Sequence, residues 1–515
     1  MTETSEEQPS PLPPAEDGPK RPFWRLDREL TGRLLTLAYP VVLAMLTQTA
    51  INLLDTIMVG RLPKQYSIAG QSAIGYSLIL LWSVGGFLSA FVVGTQAITA
   101  RRFGEGNKEG AGRTLTNSLV ITVTTSILCA LGAYMAIVHV FPFFNSNQDV
   151  LRLGIPYAQW RMLGIFPMVV TVSFKGFFDG IGFTKAHMVA AITMNICNVV
   201  LNYVFIFGAG PIAPMYVEGA GLASSMSSMV GLLMMIGFAM MGRYRTHFRY
   251  FTKGRLSLPI MWDITRLSVP SGLATVFVMA GFALFLKIVG VLDERSVSDA
   301  IAMSGSWSEG QLPAWTALQG YLGVGDLHLN ALQARPPIYV AATKVIIDIM
   351  SISFMTCIAF GTATATLVGQ SMGAGRPDLA ERYGWESVRV GAYIMGTLGL
   401  FAIFIPDTLF GVFSRDLEVI DAGRTSLRMM GGIEALIAVA LILAQALYGA
   451  GNSKYVMVVE MVLHMTCLVP LAYILGIVLD QGLIGVWASA VVYIVLMSAV
   501  MARKFASGDW KHIKL

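Results

Sequence analysis

Residues Thr31–Leu62 read TGRLLTLAYPVVLAMLTQTAINLLDTIMVGRL, and this stretch indicates the kind of fold that the whole chain adopts. A helix needs about 20 apolar residues to cross a bilayer, and the stretch is long enough. Pro40 near its start and Asp55, fifteen residues later, interrupt its apolar character. Proline removes a backbone donor and bends a helix, and a carboxylate in the hydrocarbon is costly unless it faces a cavity or a partner. The stretch therefore predicts a bent, moving membrane span with an ion site at Asp55.

The composition indicates a membrane-embedded protein. Of the 515 residues, 55% are hydrophobic and 13% are charged, whereas a soluble domain carries about 25% charged residues. The net charge is +5, but the basic residues lie in short loops between apolar stretches, so they are read as orientation signals and not as a nucleic-acid surface. The four cysteines all lie in apolar stretches without CxxC or Cys/His spacing, which supports neither a disulfide framework nor a zinc site: Cys129, Cys197, Cys357 and Cys467.

Twelve apolar stretches are long enough to span a bilayer, in two sets of six. They lie at about 32–61, 73–100, 115–140, 152–179, 185–208 and 219–241, then at about 259–291, 338–371, 384–405, 420–448, 454–478 and 482–502, and are called spans 1 to 12. The acidic, proline-rich opening predicts a disordered tail and not a signal peptide. The sequence thus predicts an all-α polytopic protein with a tail at 1–30, six-helix lobes at 31–250 and 251–505, and a second tail at 506–515.

The loops between the spans separate by charge. One set is basic and contains Arg101, Arg102, Lys185, Arg243 and Lys454; the other is acidic and contains Asp149, Glu218, Asp293, Asp407 and Asp416. Because basic loops mark the cytoplasmic side, both termini are predicted to be cytoplasmic and the acidic loops external. An even number of spans agrees with this topology.

The two halves of the chain repeat each other. LAYP at 37–40 returns as LSVP at 267–270, and GIGFTKAHM at 180–188 returns as GAGNSKYVM at 449–457. The second pair of motifs is spaced more widely than the first, and the polar, acidic and external stretch 293–337 is the insertion that accounts for the difference. Six spans per half is an even number, so the halves share one orientation and an axis along the membrane normal relates them. A substrate cavity is expected between them.

Several of these motifs resemble the multidrug and toxic compound extrusion (MATE) family of cation-coupled exporters, and in particular its bacterial NorM-type members. The resemblance rests on LLTLAYP…LLDTIMVGRL in span 1, GFFDGIGFTKAHM…NVVLNYVFIFG across spans 4 and 5, and GTATATLVGQSMGAGR after span 8. It extends from about Leu34 to Arg503 and leaves only the insertion uncovered.

The resemblance implies a fold of two six-helix lobes that form a V around a central cavity and alternate between inward- and outward-facing states. It also implies that Asp55 binds the coupling cation and that Asn198 and Asn202 of span 5 contribute to the site. Some relatives have an aspartate where Asn202 stands, so this chain has one ionisable group there and its coupling ion is left open between H⁺ and Na⁺. Asn195 is interpreted as a helix–helix contact. The bends are assigned to Pro40 and Pro270.

The second half lacks the glutamate that many relatives carry in span 7, because Val278 occupies that position. Glu434, Asp348 and Lys287 are therefore the candidate cavity charges of the second lobe. Lys175 and Asp179, like Lys344 and Asp348, are four residues apart, a spacing that allows an ion pair within a helix. Glu460 and His464 have the same spacing, but no further carboxylate or histidine completes a metal site.

The sequence predicts a secondary antiporter of the inner membrane that exports amphipathic, cationic compounds in exchange for H⁺ or Na⁺. No phosphate-binding loop and no catalytic motif occurs, so neither ATP hydrolysis nor an enzyme activity is expected. We expect no cofactor and a monomer. The alternatives are a flippase for lipid-linked saccharides, which would need a more basic cavity than Lys287 and Lys344 provide, and a receptor that binds a ligand through the 293–337 insertion.

Overall fold

A computed structural model describes residues 25–143, 148–252, 254–305, 338–513 and 515. Most of the predicted N-terminal tail and residues 306–337 of the predicted insertion lie outside the described residues. The described chain is almost entirely helical, which confirms the predicted fold class.

Twelve helices in the described part of the chain are long and apolar enough to cross a membrane, and they are numbered α1 to α12 in chain order. The first six are α1 (Arg28–Gly60), α2 (Ala73–Gly104), α3 (Lys108–Val140), α4 (Gln148–Gly180), α5 (Lys185–Phe207) and α6 (Tyr216–Met240). The second six are α7 (Leu258–Gly305), α8 (Ile338–Gly373), α9 (Pro377–Phe404), α10 (Leu417–Gly449), α11 (Ser453–Val478) and α12 (Gly482–Ser507). Short non-spanning helices follow α6 and α9, at Gly242–Phe248 and Pro406–Phe413.

The two ends of the bundle differ in charge. We call the end with Arg101, Lys185, Arg243 and Lys454 the basic end, and the end with Asp149, Glu218 and Asp407 the acidic end. Both Pro40 and Pro270 lie inside continuous helices and are buried. Because proline has no backbone N–H, each leaves the carbonyl four residues earlier without its intrahelical donor.

The predicted insertion differs from expectation at its start. Helix α7 continues to Gly305, so residues 293–305 extend a helix past the predicted end of span 7. Asp293 is 8% exposed, and its carboxylate accepts hydrogen bonds from the backbone N–H groups of Tyr339 (2.8 Å) and Val340 (2.9 Å). A carboxylate is stabilised by the free N–H groups at a helix N-terminus. Asp293 therefore joins the two ends of the insertion by capping α8.

Helices α1 and α7 each belong to both lobes. Leu30, Leu34 and Ala38, in the basic-end half of α1, are part of the hydrophobic core of the second lobe. Val59, at the other end of α1, belongs to a core cluster of the first lobe. Helix α7 shows the reciprocal arrangement: Ile264 and Leu267 belong to a first-lobe cluster, whereas Phe285, Ile288, Val289 and Leu292 belong to the second-lobe core. The first half of each helix is thus embedded in the opposite lobe.

Glycines bring α2 and α8 together at the basic end. A Cβ on Gly104 would overlap the backbone oxygen of Gln370, and a Cβ on Gly373 would overlap the backbone oxygen of Arg101. Gly104 and Gly373 are equivalent positions of the internal repeat, as are Arg101 and Gln370, so the repeat relates the two contacts to each other. Small residues permit such close approach of helices in a membrane.

Buried amide and hydroxyl groups reinforce this contact. Gln96 Nε2 donates to the carbonyl of Thr362 (2.9 Å) and to Thr366 Oγ1 (2.9 Å). Thr366 Oγ1 in turn donates to the carbonyl of Asp179 (2.9 Å), and Gln370 Nε2 donates to the carbonyl of Gly180 (2.8 Å). These bonds join α2 and α4 of the first lobe to α8 of the second.

A reciprocal pair of hydrogen-bonded contacts fixes the starts of α1 and α7. Glu386 Oε1 of α9 accepts from the backbone N–H of Asp27 (2.6 Å) and from Thr31 Oγ1 (2.7 Å). Asn117 Oδ1 of α3 accepts from the backbone N–H of Ser257 (2.8 Å). Asp27 and Ser257 are equivalent positions before the insertion, and Asn117 and Glu386 are equivalent positions across it, as the repeat requires. Each lobe therefore holds the start of the other lobe's first helix, and all these contacts lie nearer the basic end.

We predict that Gly373→Ala lowers the melting temperature of the purified protein. The added methyl group would overlap the backbone of Arg101, and overpacking of this kind costs about 1–3 kcal/mol, more than the gain of about 0.5–1 kcal/mol from replacing glycine in a helix. Gly237→Ala on α6 is the matched control, because its Cβ would meet nothing within 4 Å. Equal melting temperatures for the two variants would contradict the close contact between α2 and α8.

Candidate functional site

Asp55 lies in the acidic-end half of α1 and is half-buried against α5. Asn202 Nδ2 donates to Asp55 Oδ1 (2.5 Å) and to Asn198 Oδ1 (3.0 Å). Asn198 and Asn202 are one helical turn apart, so both side chains project from one face of α5. The structure thus brings together the three residues that the sequence nominates for the cation site.

A second layer of polar groups comes from α6. Asn198 Nδ2 lies 3.4 Å from Ser224 Oγ and 3.3 Å from Ser227 Oγ. Asn202 is fully buried, and its Oδ1 has no hydrogen-bond partner among the described residues. A buried polar atom without a partner is uncommon and calls for a ligand or an explanation. The Asp55 carboxylate can take a proton, and together with the Asn202 carbonyl oxygen it can coordinate a small hard cation, because such a cation prefers oxygen ligands.

Arg161 and Tyr157 on α4 complete the surroundings of Asp55. Both Arg161 and Tyr157 lie close enough to Asp55 to interact electrostatically with it. The two residues are four apart and share one helix face. The guanidinium of Arg161 is thus a positive charge within electrostatic range of the Asp55 carboxylate, although no ion pair joins these two described residues. Sequence reasoning missed Arg161, although an arginine well inside predicted span 4 is itself the signal of a functional charge.

Asn195 lies outside this cluster. Its Nδ2 donates to Thr47 Oγ1 on α1 (3.0 Å), about one turn closer to the basic end than Asn198. Asn195 therefore joins α5 to α1 on the basic-end side of the candidate site, without contacting Asp55.

The second-lobe candidates do not form a comparable cluster. Glu434 on α10 is 2% exposed and lies beside the Ser353 hydroxyl, and its Oε2 has no partner in the described part of the chain. Asp348 forms an ion pair with Lys344 on the same helix (2.5 Å), and Lys287 is exposed on α7. No hydrogen bond or ion pair between described residues joins Glu434, Asp348 and Lys287 to one another.

Lys175 and Asp179 form an ion pair at 2.6 Å, and the Asp179 side chain is fully buried. Because the Asp179 carbonyl also accepts the hydrogen bond from Thr366 of the second lobe, the pair lies at the contact between the lobes. Its position is at the basic end, away from Asp55.

Comparisons with known proteins extend over nearly the whole chain. The MatE family model matches residues 40–204 and 331–474. A probable multidrug resistance protein NorM of Thermotoga maritima is 22% identical over 94% of both chains. A probable NorM of Mesorhizobium japonicum is 26% identical over 76% of this chain and 73% of its own.

Solved structures share the fold. One, described as the outward-facing conformation of a multidrug resistance MATE family transporter of the MOP superfamily, superimposes with a TM-score of 0.78 at 19% identity and covers 95% of this chain and 98% of its own. A MOP superfamily transporter from Pyrococcus furiosus, described as having a binding pocket of reverse polarity, gives 0.77 at 19% identity, over 94% and 98% of the two chains. With the family model matched in both halves and the twelve described helices in two repeated lobes, this chain belongs to the MATE family.

Proposed function

We propose that this protein is a secondary antiporter that exports amphipathic, cationic compounds in exchange for H⁺ or Na⁺ by alternating access. The observation that carries the proposal is the Asp55–Asn202–Asn198 cluster, an acid and two amides inside the first lobe of a membrane protein. Ionisable residues within membrane spans are expensive and mark ion pathways. The names of the relatives, probable multidrug resistance proteins, support the substrate class.

Helix α1 provides the mechanical link between the cation site and the contact between the lobes. Asp55 lies in the half of α1 that packs on the first lobe, whereas Leu30 and Leu34 lie in the half that packs in the second-lobe core. Pro40 stands between these halves and supplies a position where the helix can change its bend. Cation binding at Asp55 alters how α1 packs on α5, and the change reaches the second lobe through the basic-end half of α1.

The contacts between the lobes lie nearer the basic end, so we infer that the present arrangement is open toward the acidic end. If the basic end is cytoplasmic, as the charge pattern predicts, this is an outward-facing state, and a cation from outside can reach Asp55. An exchange that carries one net charge inward through 100 mV gains about 2.3 kcal/mol, which supports a roughly 50-fold gradient of exported compound, whereas exchange of one cation for one monovalent cationic compound moves no net charge and is driven by the ion gradient alone. We place the protein in the inner membrane as a monomer with cytoplasmic termini and no cofactor.

The flippase alternative finds less support. A lipid-linked pyrophosphate needs unpaired basic groups in the cavity, and Lys344, one of the two candidates, is ion-paired with Asp348. Asp55 and the two asparagines are also better suited to a cation than to an anion.

We predict that Asp55→Asn abolishes cation-driven transport. The substitution removes the charge and keeps the size of the side chain, so the protein folds, but release of a fluorescent cationic dye from proteoliposomes falls to the level of protein-free liposomes. The measurement imposes either a proton or a sodium gradient on the wild-type protein and on the variant, which also identifies the coupling ion.

The matched control is Asp407→Asn, the same chemical change at an exposed ion pair with Arg424 at the acidic end. It is expected to retain wild-type release. Retained release in Asp55→Asn at normal expression would show that Asp55 is not the cation site, and absence of release from wild type with either ion would redirect the assay to lipid-linked substrates.

A pair of substitutions on α5, Asn202→Leu and Asn195→Leu, should distinguish a residue needed for cation-driven transport from one that only contributes to helix packing. Asn202→Leu removes a hydrogen bond to a carboxylate, a contact that contributes about 1.5–3 kcal/mol, so the initial rate of dye release should fall by roughly tenfold or more. Asn195→Leu removes a helix–helix hydrogen bond that contributes about 0.6 kcal/mol, so it should lower the melting temperature slightly and leave the rate within about threefold of wild type. Equal rates in the two variants would contradict the assignment of Asn202 to the site.

A further inference from the structure

Glu460 on α11 is an acid inside a membrane span that the proposed mechanism does not use. It shares a helix face with Val456, His464 and Cys467, all of them buried. Val458 and Val462, on the other side of α11, are 46% and 43% exposed. Residues at i, i+4 and i+7 project to one side of a helix. Glu460 therefore points into the second lobe and not toward lipid, and it is half-buried there.

The groups around Glu460 are mostly aromatic. Tyr448 of α10 and Tyr493 of α12 both lie within electrostatic range of Glu460. On α11 itself, the His464 ring contacts the Tyr493 ring (centroids 4.6 Å apart), and His464 Nδ1 lies 2.8 Å from the backbone oxygen of Glu460. Helix α7 contributes neutral residues, with Ser271 beside Tyr448 and Gly281 against His464. The titratable groups on this side are thus Tyr448, Tyr493, His464 and Cys467, and none of them is a basic side chain that would be charged throughout the physiological range.

Glu460 lacks the polar partner that several other acids of the spans have, and Glu434, although its Oε2 is unpaired among the described residues, lies beside the Ser353 hydroxyl. Asp55 accepts a hydrogen bond from Asn202, Asp179 pairs with Lys175, and Asp348 pairs with Lys344. The carboxylate of Glu460 has no hydrogen bond or ion pair with any described residue. A carboxylate within the span of a membrane protein is costly unless a counter-charge or a proton neutralises it. No basic side chain among the described residues neutralises Glu460, and a proton taken up from solution would do so.

The internal repeat relates the surroundings of Glu460 in the second lobe to the part of the first lobe that contains the candidate cation site. His464 is the repeat equivalent of Asn195, which lies about one turn from the candidate cation site of the first lobe, and Tyr493 is the equivalent of Ser224, whose hydroxyl lies 3.4 Å from Asn198 of that site. The same alignment of the halves pairs Glu460 with Ala191, so the fold does not require an acid here. Leu463–Leu468 of α11 forms a π-helical turn next to Glu460. Such turns are frequent at functional sites because the wider turn disturbs the regular backbone ladder.

We propose that Glu460 is a second proton-binding site, located in the second lobe and used in the same transport cycle as Asp55. The proposal rests on the proposed antiport function. A proton adds to one carboxylate oxygen of Glu460 from the outward-open side and leaves from the same oxygen to the cytoplasm, so no bond other than O–H forms or breaks. A metal cation fits poorly, because hard cations take six or more oxygen ligands, and the described side-chain oxygens in range of Glu460 are the phenol groups of Tyr448 and Tyr493. Each lobe then carries one acid of the coupling machinery.

The test measures how many protons are exchanged per dye molecule. With the membrane potential clamped at zero, net flux of dye reverses at a dye gradient that depends on the pH difference and on the number of protons exchanged per dye molecule. Each exchanged proton contributes a factor of about ten to this gradient for every pH unit. If Asp55 and Glu460 both carry protons, one pH unit should balance a dye gradient of about 100-fold in wild type and about 10-fold in Glu460→Gln. Glutamine resembles the protonated carboxyl group in shape and lack of charge, so the variant should fold.

Glu418→Gln is the matched control, because Glu418 is exposed at the acidic-end start of α10. It should keep the wild-type gradient. An unchanged reversal gradient in Glu460→Gln would overturn the proposal, and a gradient that responds to sodium and not to pH would overturn the assignment to a proton.

A second measurement does not depend on transport and so separates this proposal from the proposed function. The infrared difference spectrum of the purified protein between acidic and neutral pH should contain the carbonyl band of a protonated carboxyl group, and Glu460→Gln should lose one such component while Glu418→Gln keeps it. If the band is unchanged in Glu460→Gln, Glu460 does not bind a proton, whether or not the protein transports the dye. If the band is lost but wild type shows no cation-driven release, the proton site stands and the antiport function fails.

Discussion

The structure depends on the reciprocal exchange of helix halves between the two lobes. The first half of α1 is buried in the core of the second lobe, and the first half of α7 is buried in the first. In a bilayer, lipid tails are as apolar as the helix surfaces, so helix contacts rely on close packing and on hydrogen bonds and not on the hydrophobic effect. The glycine contacts of α2 with α8, and the hydrogen bonds at Glu386 and Asn117, supply both.

This exchange explains how a small event in one lobe can influence the other. Asp55 lies fifteen residues after Pro40, about 22 Å along a helix, and well away from the contacts between the lobes. Yet α1 reaches both places, so the Asp55 cluster and the basic-end contact lie on one helix, in which Pro40 leaves one backbone carbonyl without its intrahelical donor. The physical requirement for coupling is a two-state element that both sites bias, and α1 has the position for that role.

The two halves keep equivalent backbone positions but carry different side chains at many of them. Glu386 and Asn117 are equivalent residues that make equivalent bonds to backbone N–H groups, yet one is charged and the other is not. Likewise Phe285 occupies the position of Asp55 in the second lobe, where it packs into the hydrophobic core, and Glu460 on α11 occupies the position of Ala191 in the first. The equivalent contacts to backbone N–H groups hold the two lobes together, whereas the side chains at the other repeat positions differ in charge between the lobes.

The sequence by itself determined the twelve spans, the two repeated halves and the residues of the first-lobe cluster. Hydrophobic length and charge in the loops are local properties, and the internal repeat is a comparison of the chain with itself. Only the tertiary structure decided which charges meet. Arg161 lies in a different helix from Asp55, and Glu460 is left without a counter-charge among the described residues, whereas the pair of Lys344 with Asp348 follows from their spacing on one helix. Sequence spacing places side chains on a helix face, but which face opposes which is set by packing between helices far apart in the chain.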